Sequence, residues 1–269
     1  MAAGERFEVC FWGVRGGIAC PGSDTARYGG NTPCVELRLG DHTLIFDAGT
    51  GIRGLGQALN QRSPITADLM FSHTNFERVS GIPFFSAAYN PKNSIRIWAG
   101  HLPPEDGVRG VLAQLITDPV FPVPIDIMGA ALEYKDFRAG ETLEPKPGLT
   151  VRSAALNRTV PVTGYRVGWN GKSVCYVSDL IAGPDGDESA VRTLIGNADL
   201  VIFNSAENAP GVADWRDGAR LCDAAGARTY VVFHHHPDND DRAMDAIAAE
   251  ARSLRPGTVI AREGLVLEP

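Results

Sequence analysis

Short apolar segments of β type alternate with amphipathic helical segments along the chain, and this order constrains the fold most. The β-type segments are rich in branched and aromatic residues and are bounded by glycine or polar residues. They cover residues 7–12, 34–39, 43–46, 68–71, 94–98, 149–154, 164–167, 173–177, 200–203, 229–233, 258–260 and 265–267. The helical segments cover residues 52–60, 105–115, 187–195, 215–225 and 240–254. This irregular alternation predicts an α/β fold in which sheets carry the core and helices cover them.

The length and composition predict a single domain over residues 1–269. Apolar residues make up 44% of the chain, enough to fill the core of one large domain. No internal repeat or low-complexity tract divides the sequence. The proline-rich segment 118–124 is typical of a loop, so we expect it to form a lid over a cleft and not a domain boundary.

The distribution of apolar and cysteine residues predicts a cytoplasmic protein without a membrane segment. No apolar run approaches the ~20 residues that span a bilayer, and the N-terminus lacks the basic and apolar pattern of a secretory signal. The 5 cysteines form no CxxC pair. They are expected to be buried or free thiols in a reducing compartment, and zinc-finger chemistry is not supported.

The charge distribution predicts that no extended surface binds nucleic acid. The formal net charge is −7, and Lys and Arg are scattered without a block of like charges. Net charge describes the whole molecule, so it is compatible with a basic pocket confined to one cleft.

The segment 71–78, with the sequence FSHTNFER, carries the strongest motif of the chain. It follows an apolar strand-like run and leads into V-S-G-I-P-F-F. This context resembles the phosphodiesterase-like branch of the metallo-β-lactamase fold hydrolases, whose loop reads H-x-H-x-D-H. Residues 12–17, 27–32, 45–52, 175–179 and 232–238 are similar to other segments of that branch, so the resemblance covers nearly the whole chain.

The resemblance implies a four-layer αββα sandwich of the metallo-β-lactamase type, with a pocket where loops after several strands meet at one edge. Residues far apart in sequence are then expected to converge in that pocket and to form a ligand-binding site. They are His73, Asn75, Glu77, Arg78, Arg158, Asp179 and His234.

Several of these positions depart from the family pattern. The second histidine of the motif is Asn75, the aspartate is Glu77 and the last histidine is Arg78; Arg158 stands where the family carries another metal-binding histidine. A guanidinium has no lone pair to give to a metal and would repel a divalent ion beside it. Val212 replaces a histidine that assists protonation of the leaving group in relatives, and valine transfers no proton.

We therefore expect a catalytically inactive pseudoenzyme that holds no metal and acts as a ligand-binding or regulatory protein. The alternative is a phosphodiesterase-type hydrolase with one zinc or manganese ion held by His73, Asp179 and His234. Three protein ligands and a water form a legitimate catalytic zinc site.

Two roles are open for Arg78 and Arg158. They either close on the carboxylates of Glu77 and Asp179 as buried ion pairs, or they face the cleft and bind an anion. In the second case we expect a phosphate-bearing small molecule, with a nucleotide as the leading candidate. A regulatory protein partner and a homodimer are also left open by the sequence.

Overall fold

A computed structural model describes residues 6–103, 107–204 and 211–269. Its strands, in chain order, are β1 (Phe7–Gly13), β2 (Cys34–Leu39), β3 (His42–Phe46), β4 (Thr66–Phe71), β5 (Ser94–Ala99), β6 (Ala131–Asp136), β7 (Thr142–Lys146), β8 (Leu149–Ala155), β9 (Thr163–Trp169), β10 (Lys172–Val177), β11 (Leu200–Asn204), β12 (Thr229–Phe233), β13 (Val259–Ile260) and β14 (Val266–Leu267). Its helices are α1 (Ile52–Asn60), α2 (Phe76–Val79), α3 (Gly107–Leu115), α4 (Glu188–Ile195), α5 (Trp215–Ala224) and α6 (Asp241–Leu254).

Two sheets of seven strands pack face to face, and helices cover their outer faces. The first sheet has the order β14-β1-β2-β3-β4-β5-β6, and the second has the order β13-β12-β11-β10-β9-β8-β7. Aromatic side chains from both sheets fill the space between them, and the rings of Phe46 and Tyr176 stack with centroids 4.8 Å apart. Helices α1 and α3 bury apolar residues on the first sheet, and α4, α5 and α6 do so on the second. The predicted αββα sandwich is confirmed.

Most predicted strands and helices lie within one or two residues of the observed elements, but β6, β7 and α2 were not predicted. Strand β6 is at the edge of its sheet, and it is largely exposed and polar, so it lacks an apolar run. Strand β7 is also at an edge and contains a proline. The helix predicted from residue 105 begins in a segment, 104–106, that lies outside the described residues, as do residues 205–210 just before Val212.

The edge that carries the candidate site is formed by the ends of parallel strands from both sheets. Strands β3 and β4 are parallel neighbours, as are β10, β11 and β12. Just after three of these strands, Asp47, Asp179 and His234 have φ values of 57°, 46° and 64°. Residues with a Cβ rarely adopt this left-handed conformation, and such positions concentrate at functional sites.

The proline-rich segment 118–124 packs beside a short 3-10 turn (Ile82–Phe84), where the rings of Phe121 and Phe84 meet edge to face at 6.0 Å. Its proposed role as a lid stays a prediction. Among the described helices, none is both long enough and apolar enough to cross a bilayer.

Candidate functional site

The guanidinium of Arg78 is the centre of the candidate site. Arg78 lies in α2, follows the motif histidine by five residues, and its side chain is fully buried. Its Nη1 is 2.9 Å from Oδ2 of Asp47, its Nη2 is 2.7 Å from Oδ2 of Asp179, and its Nε is 3.1 Å from Oε1 of Glu77. Burial opposes the charge, but the surrounding carboxylates outweigh it and raise the pKa of Arg78 well above its usual range. One cation therefore joins three acidic side chains.

Asp47 is held by groups from both sheets. Its Oδ2 accepts a 2.7 Å hydrogen bond from the hydroxyl of Tyr176, which also lies 2.9 Å from Nη1 of Arg78. The backbone N–H of Ser72 donates to Oδ1 of Asp47 at 2.8 Å, and the Ser72 hydroxyl lies within 3.0 Å of both carboxylate oxygens. With this many donors the buried Asp47 carboxylate is fully satisfied, as a buried charge requires.

Asp179 is similarly saturated. Besides Arg78, its Oδ2 accepts from the hydroxyl of Ser178 at 2.7 Å, and its Oδ1 accepts from the side-chain amide of Asn204 at 2.8 Å. Burial by itself would raise the pKa of Asp179. The positive charge of Arg78 outweighs burial and, together with the neighbouring histidines and Ser178, holds the pKa of Asp179 well below its usual range. The Asp179 carboxylate is therefore ionised and engaged from several directions.

Glu77 links α2 to the end of β12 and to the loop after β1. Its Oε1 is 2.7 Å from Nε2 of His234, and its Oε2 accepts from the backbone N–H of Gly17. Burial favours the neutral acid, but the charge and hydrogen bond of His234, followed by the charge of Arg78, lower the pKa of Glu77 to about 2. His234, whose imidazole the resemblance assigns to a metal, here bonds to a carboxylate.

His73 lies next to this network with one ring nitrogen unsatisfied. Its Nδ1 is 3.1 Å from the Ser72 hydroxyl, which already donates to Asp47, so Nδ1 carries the proton and donates. Its Nε2 is then a bare lone pair, buried without a hydrogen-bond partner and 3.4 Å from Oδ2 of Asp179. Burial and the charge of Arg78 lower the pKa of His73, which keeps the ring neutral.

Two of the seven predicted site residues do not join the network. The side chain of Asn75 is exposed at the start of α2 and makes no capping hydrogen bond; its backbone carbonyl accepts from the N–H of Arg78. Arg158 is also exposed, and within the described part of the chain no carboxylate lies at ion-pair distance from it. The alternative in which Arg158 pairs with Glu77 or Asp179 is not observed, because the loop after β8 places this side chain in a cavity on the outer face of the second sheet, with Arg152 and Arg166.

The structure adds residues to the site that sequence reasoning did not assign to it. Asp47 lies in the F-D-A-G-T-G turn after β3, a segment that supported only the family resemblance, and Tyr176 lies in β10. An acidic residue at the end of a strand, next to a glycine turn, was the sequence signal for Asp47. His101 also lies beside the site, where its Nε2 is 3.1 Å from the Thr74 hydroxyl and burial lowers its pKa to about 3. His42, at the other end of β3 from Asp47, is buried and lies 2.7 Å from Asp68.

Three side chains of the site carry the types of donor atom that could hold the divalent metal implied by the fold. The ligand atoms of His73, Glu77 and Asp179 all lie within 4.8 Å of one another, a spacing that could hold an ion. However, the guanidinium of Arg78 already bonds both carboxylates of this set. A divalent ion there would have to displace these bonds and sit beside a buried positive charge. With Arg78 in this position, the residues present do not fit a divalent metal.

The fold and the site together define a class of protein. Two sheets with outer helices, and a polar cluster at the edge where strands end, are the arrangement of metallo-β-lactamase-type sandwiches. Residues 42–235 match the family described as the beta-lactamase superfamily domain, and the chain belongs to that family. A comparison with curated proteins gave no match.

Solved structures with this fold cover nearly all of the chain. The metallo-beta-lactamase fold protein YhfI from Bacillus subtilis has a TM-score of 0.72 at 18% identity, covering 98% of this chain and 100% of its own. A diphosphatase from the PhnP family has a TM-score of 0.72 at 16% identity, with 98% of each chain covered. Zn(2+)-bound PqqB from Methylobacterium extorquens has a TM-score of 0.70 at 18% identity, covering 97% and 100%. At these identities the likeness describes the fold alone.

Proposed function

We propose that this chain is a catalytically inactive member of its family that acts as a binding or regulatory protein. The observation that carries the proposal is the buried guanidinium of Arg78, which bonds Asp47, Glu77 and Asp179 at once. Hydrolysis in this fold class needs a metal-activated water and a group that protonates the leaving oxygen. Arg78 takes the carboxylates that a metal would need, and Val212 stands where a proton donor is expected.

The candidate site is also a poor place for an anion. Three carboxylates surround the single guanidinium, and each of its three nitrogens bonds one of them, with Nη1 also bonding the hydroxyl of Tyr176. The geometry therefore supports buried ion pairs between Arg78 and these carboxylates, and it does not support an Arg78 that faces the cleft and binds phosphate. A ligand of this protein should be sought at another surface.

Metal content and hydrolysis test the proposal directly. Protein purified without chelator should carry well below one equivalent of zinc, manganese or iron by elemental analysis. Hydrolysis of bis-p-nitrophenyl phosphate should equal that of buffer, with or without added divalent metal. Two tightly bound ions per chain, or a metal-dependent turnover that disappears in Asp179→Ala, would contradict the proposal.

A single substitution tests whether Arg78 excludes the metal. Arg78→His removes the cation and supplies an imidazole next to His73, Glu77 and Asp179, so this variant should bind close to one zinc per chain and melt at a higher temperature when zinc is added. Arg220→His is the matched control, because Arg220 on α5 also bonds two carboxylates, those of Glu188 at 2.6 Å and Asp217 at 3.2 Å, at the surface of the protein. Equal zinc uptake by the two variants would contradict the assigned role of Arg78.

One observation favours a second candidate, a hydrolase with one metal ion. Nε2 of His73 is a buried lone pair without a hydrogen-bond partner, which is how a vacant ligand atom would look. The spacing puts Glu77, and not His234, with His73 and Asp179 in the cluster that could hold an ion. Tight binding of one zinc by the unmodified protein, lost in His73→Ala, would favour this candidate over the inactive one.

A further inference from the structure

A groove crosses the outer face of the second sheet, away from the candidate site. It consists of two adjoining cavities of about 540 and 600 Å³, which share Arg152 of β8 and Arg166 of β9. The first cavity includes the turn between β9 and β10, where Lys172 begins β10, whereas Asp179 follows the other end of that strand. The groove and the candidate site therefore occupy different surfaces of the same sheet.

The groove concentrates positive charge in a chain whose formal net charge is −7. The first cavity is lined by Arg152, Arg166, Lys172 and Arg228, and the second adds Arg158. Among the described lining residues, Asp199 is the acidic side chain of the first cavity and Asp187 that of the second. Five cations thus face two carboxylates.

Both of these carboxylates already have partners. Asp199 is 3.4 Å from Lys172 and 3.2 Å from Arg228, and it accepts from the N–H of Ser173 at 2.9 Å. Asp187 caps α4 by accepting from the N–H of Ala190 at 2.9 Å. Neither is left to neutralise the arginines on the strands.

The strand arginines are placed against each other and not against acids. Arg152 and Arg166 are directly opposite in the β8–β9 pairing. Arg166 donates to the backbone carbonyls of Leu194 and Gly196, while Arg152 is exposed and, within the described chain, has no carboxylate at ion-pair distance. Like charges directly opposite on neighbouring strands are destabilising, so an anion that bridges them would be bound favourably.

The floor of the groove lets a ligand approach the backbone closely. At Gly171 an added Cβ would meet nothing within 4 Å, and at Gly168 it would meet only ordinary contacts at 3.9 Å or more. Since neighbouring strands are about 4.8 Å apart, cations from β8 to the start of β12 extend over roughly 19 Å.

We infer that this groove binds a linear chain of phosphate groups, the chemistry shared by a single-stranded nucleic acid and inorganic polyphosphate. A single phosphate would meet only one or two of the cations, whereas a chain of them matches positive charge spread over several strands. Guanidinium groups bind phosphate oxygens bidentately and strongly. The net charge that argued against a nucleic-acid surface is an average, and this face departs from it. The inference does not rest on the proposed inactivity of the candidate site.

Anisotropy measurements with the full chain test this inference. The probes are a labelled oligothymidylate of about 16 nucleotides, a length in the range of single-strand sites, unlabelled polyphosphate and unlabelled poly-glutamate of matched charge. The variants are Arg152→Gln, Arg228→Gln and both together. Arg53→Gln is the matched control, because Arg53 is an exposed arginine on α1, which covers the other sheet.

Both groove variants should weaken binding, and each should reduce the slope of log affinity against log salt by about 0.7. Arg53→Gln should leave the affinity and the slope unchanged. Competition by polyphosphate as strong as self-competition by oligothymidylate would identify the phosphate chain alone as the ligand; weaker competition would identify nucleic acid. No binding, equal losses in Arg53→Gln, or equal competition by poly-glutamate would overturn the inference. Because Arg152 and Arg228 are exposed, both variants should melt within a few degrees of the unmodified protein, which checks that they are folded.

Discussion

A guanidinium holds carboxylates differently from a divalent ion, and Arg78 shows the consequence at the scale of one residue. It distributes one charge over several N–H donors, so Asp47, Glu77 and Asp179 each receive a directed hydrogen bond. A metal would instead draw lone pairs to one point and leave room for water. The same carboxylates are thus each bonded directly to a protein cation.

Removing the cation should therefore destabilise the protein strongly. Arg78→Met keeps much of the side-chain volume but leaves three carboxylates without their shared partner, and we expect a loss of about 3–5 kcal/mol in the free energy of unfolding. Urea denaturation monitored by fluorescence measures the change. Arg216→Met, which breaks a surface pair with Glu250, is the control and should change stability by less than about 1 kcal/mol. A small loss in Arg78→Met would show that the cluster is not held by this charge.

The sequence was sufficient to name two of the three acidic partners of Arg78, Glu77 and Asp179, but not the third, Asp47. An arginine in place of a ligand predicts that a metal is lost, and buried charge predicts pairing with an acid. Which acid it pairs with depends on the left-handed turns after β3 and β10, which bring Asp47 and Asp179 to opposite sides of the guanidinium. The sequence left the same two roles open for Arg158 as for Arg78, and the path of the loop after β8 separates them.

At the scale of elements, the register of neighbouring strands decides whether an arginine is stabilising. Arg96 on β5 is opposite Asp68 on β4 and is 2.7 Å from it, whereas Arg152 on β8 is opposite Arg166 on β9. The two arginines have similar positions in their sheets and opposite electrostatic surroundings. A strand can carry unfavourable pairs of this kind where its outer face serves binding.

Replacing the two strand arginines should change stability in opposite directions. Arg152→Thr removes a like-charge pair and introduces a good strand former, so the free energy of unfolding should rise by about 0.2–1 kcal/mol. Arg96→Thr, the matched comparison, leaves Asp68 with fewer partners and should lower it by at least 1 kcal/mol. Thermal melting at low salt measures both. A loss of stability in Arg152→Thr would mean that this side chain has a stabilising partner in solution.

The elements that sequence patterns predicted well are those whose side chains are mostly buried. Strands β2, β10, β11 and β12 are buried along most of their length, and their apolar runs indicate them directly. Strands β6 and β7 are fixed by hydrogen bonds to one neighbour at a sheet edge, and α2 has only one turn. Hydrophobic periodicity contains little information about such elements.

At the scale of the whole molecule, buried neutral histidines make the fold sensitive to acid. Nε2 of His235 donates to the carbonyl of Ala261, so its buried Nδ1 is a bare lone pair, and burial lowers the pKa of His235 to about 3. Burial lowers the pKa of His101 to about 3 as well. Both rings bind protons more readily in the unfolded chain. Stability should therefore fall as the pH drops from about 6.5 towards 3.

Each such histidine should contribute a slope of up to about 1.4 kcal/mol per pH unit in that range. Below about pH 4.5 the depressed pKa of Glu77, about 2, adds a further loss that is complete only below pH 2. Urea midpoints measured from pH 7.5 to pH 4 test the slope. His235→Gln should flatten this slope. His236→Gln should leave the slope unchanged, because about a third of the His236 side chain is exposed (31%). An equal slope in all three proteins would contradict the assignment.

The network around Arg78 also bears on whether the folded protein depends on the concentration of a free metal ion. It ties the end of β3 in one sheet to the end of β10 in the other, and through Glu77 and His234 to the end of β12. A cross-link through a bound ion strengthens with the ion's free concentration by mass action, so it weakens under starvation or a chelator. A cross-link built from a side chain is present in every molecule at the moment it folds. If the chain holds no metal, as proposed, it should close its two sheets together independently of the supply of trace metals.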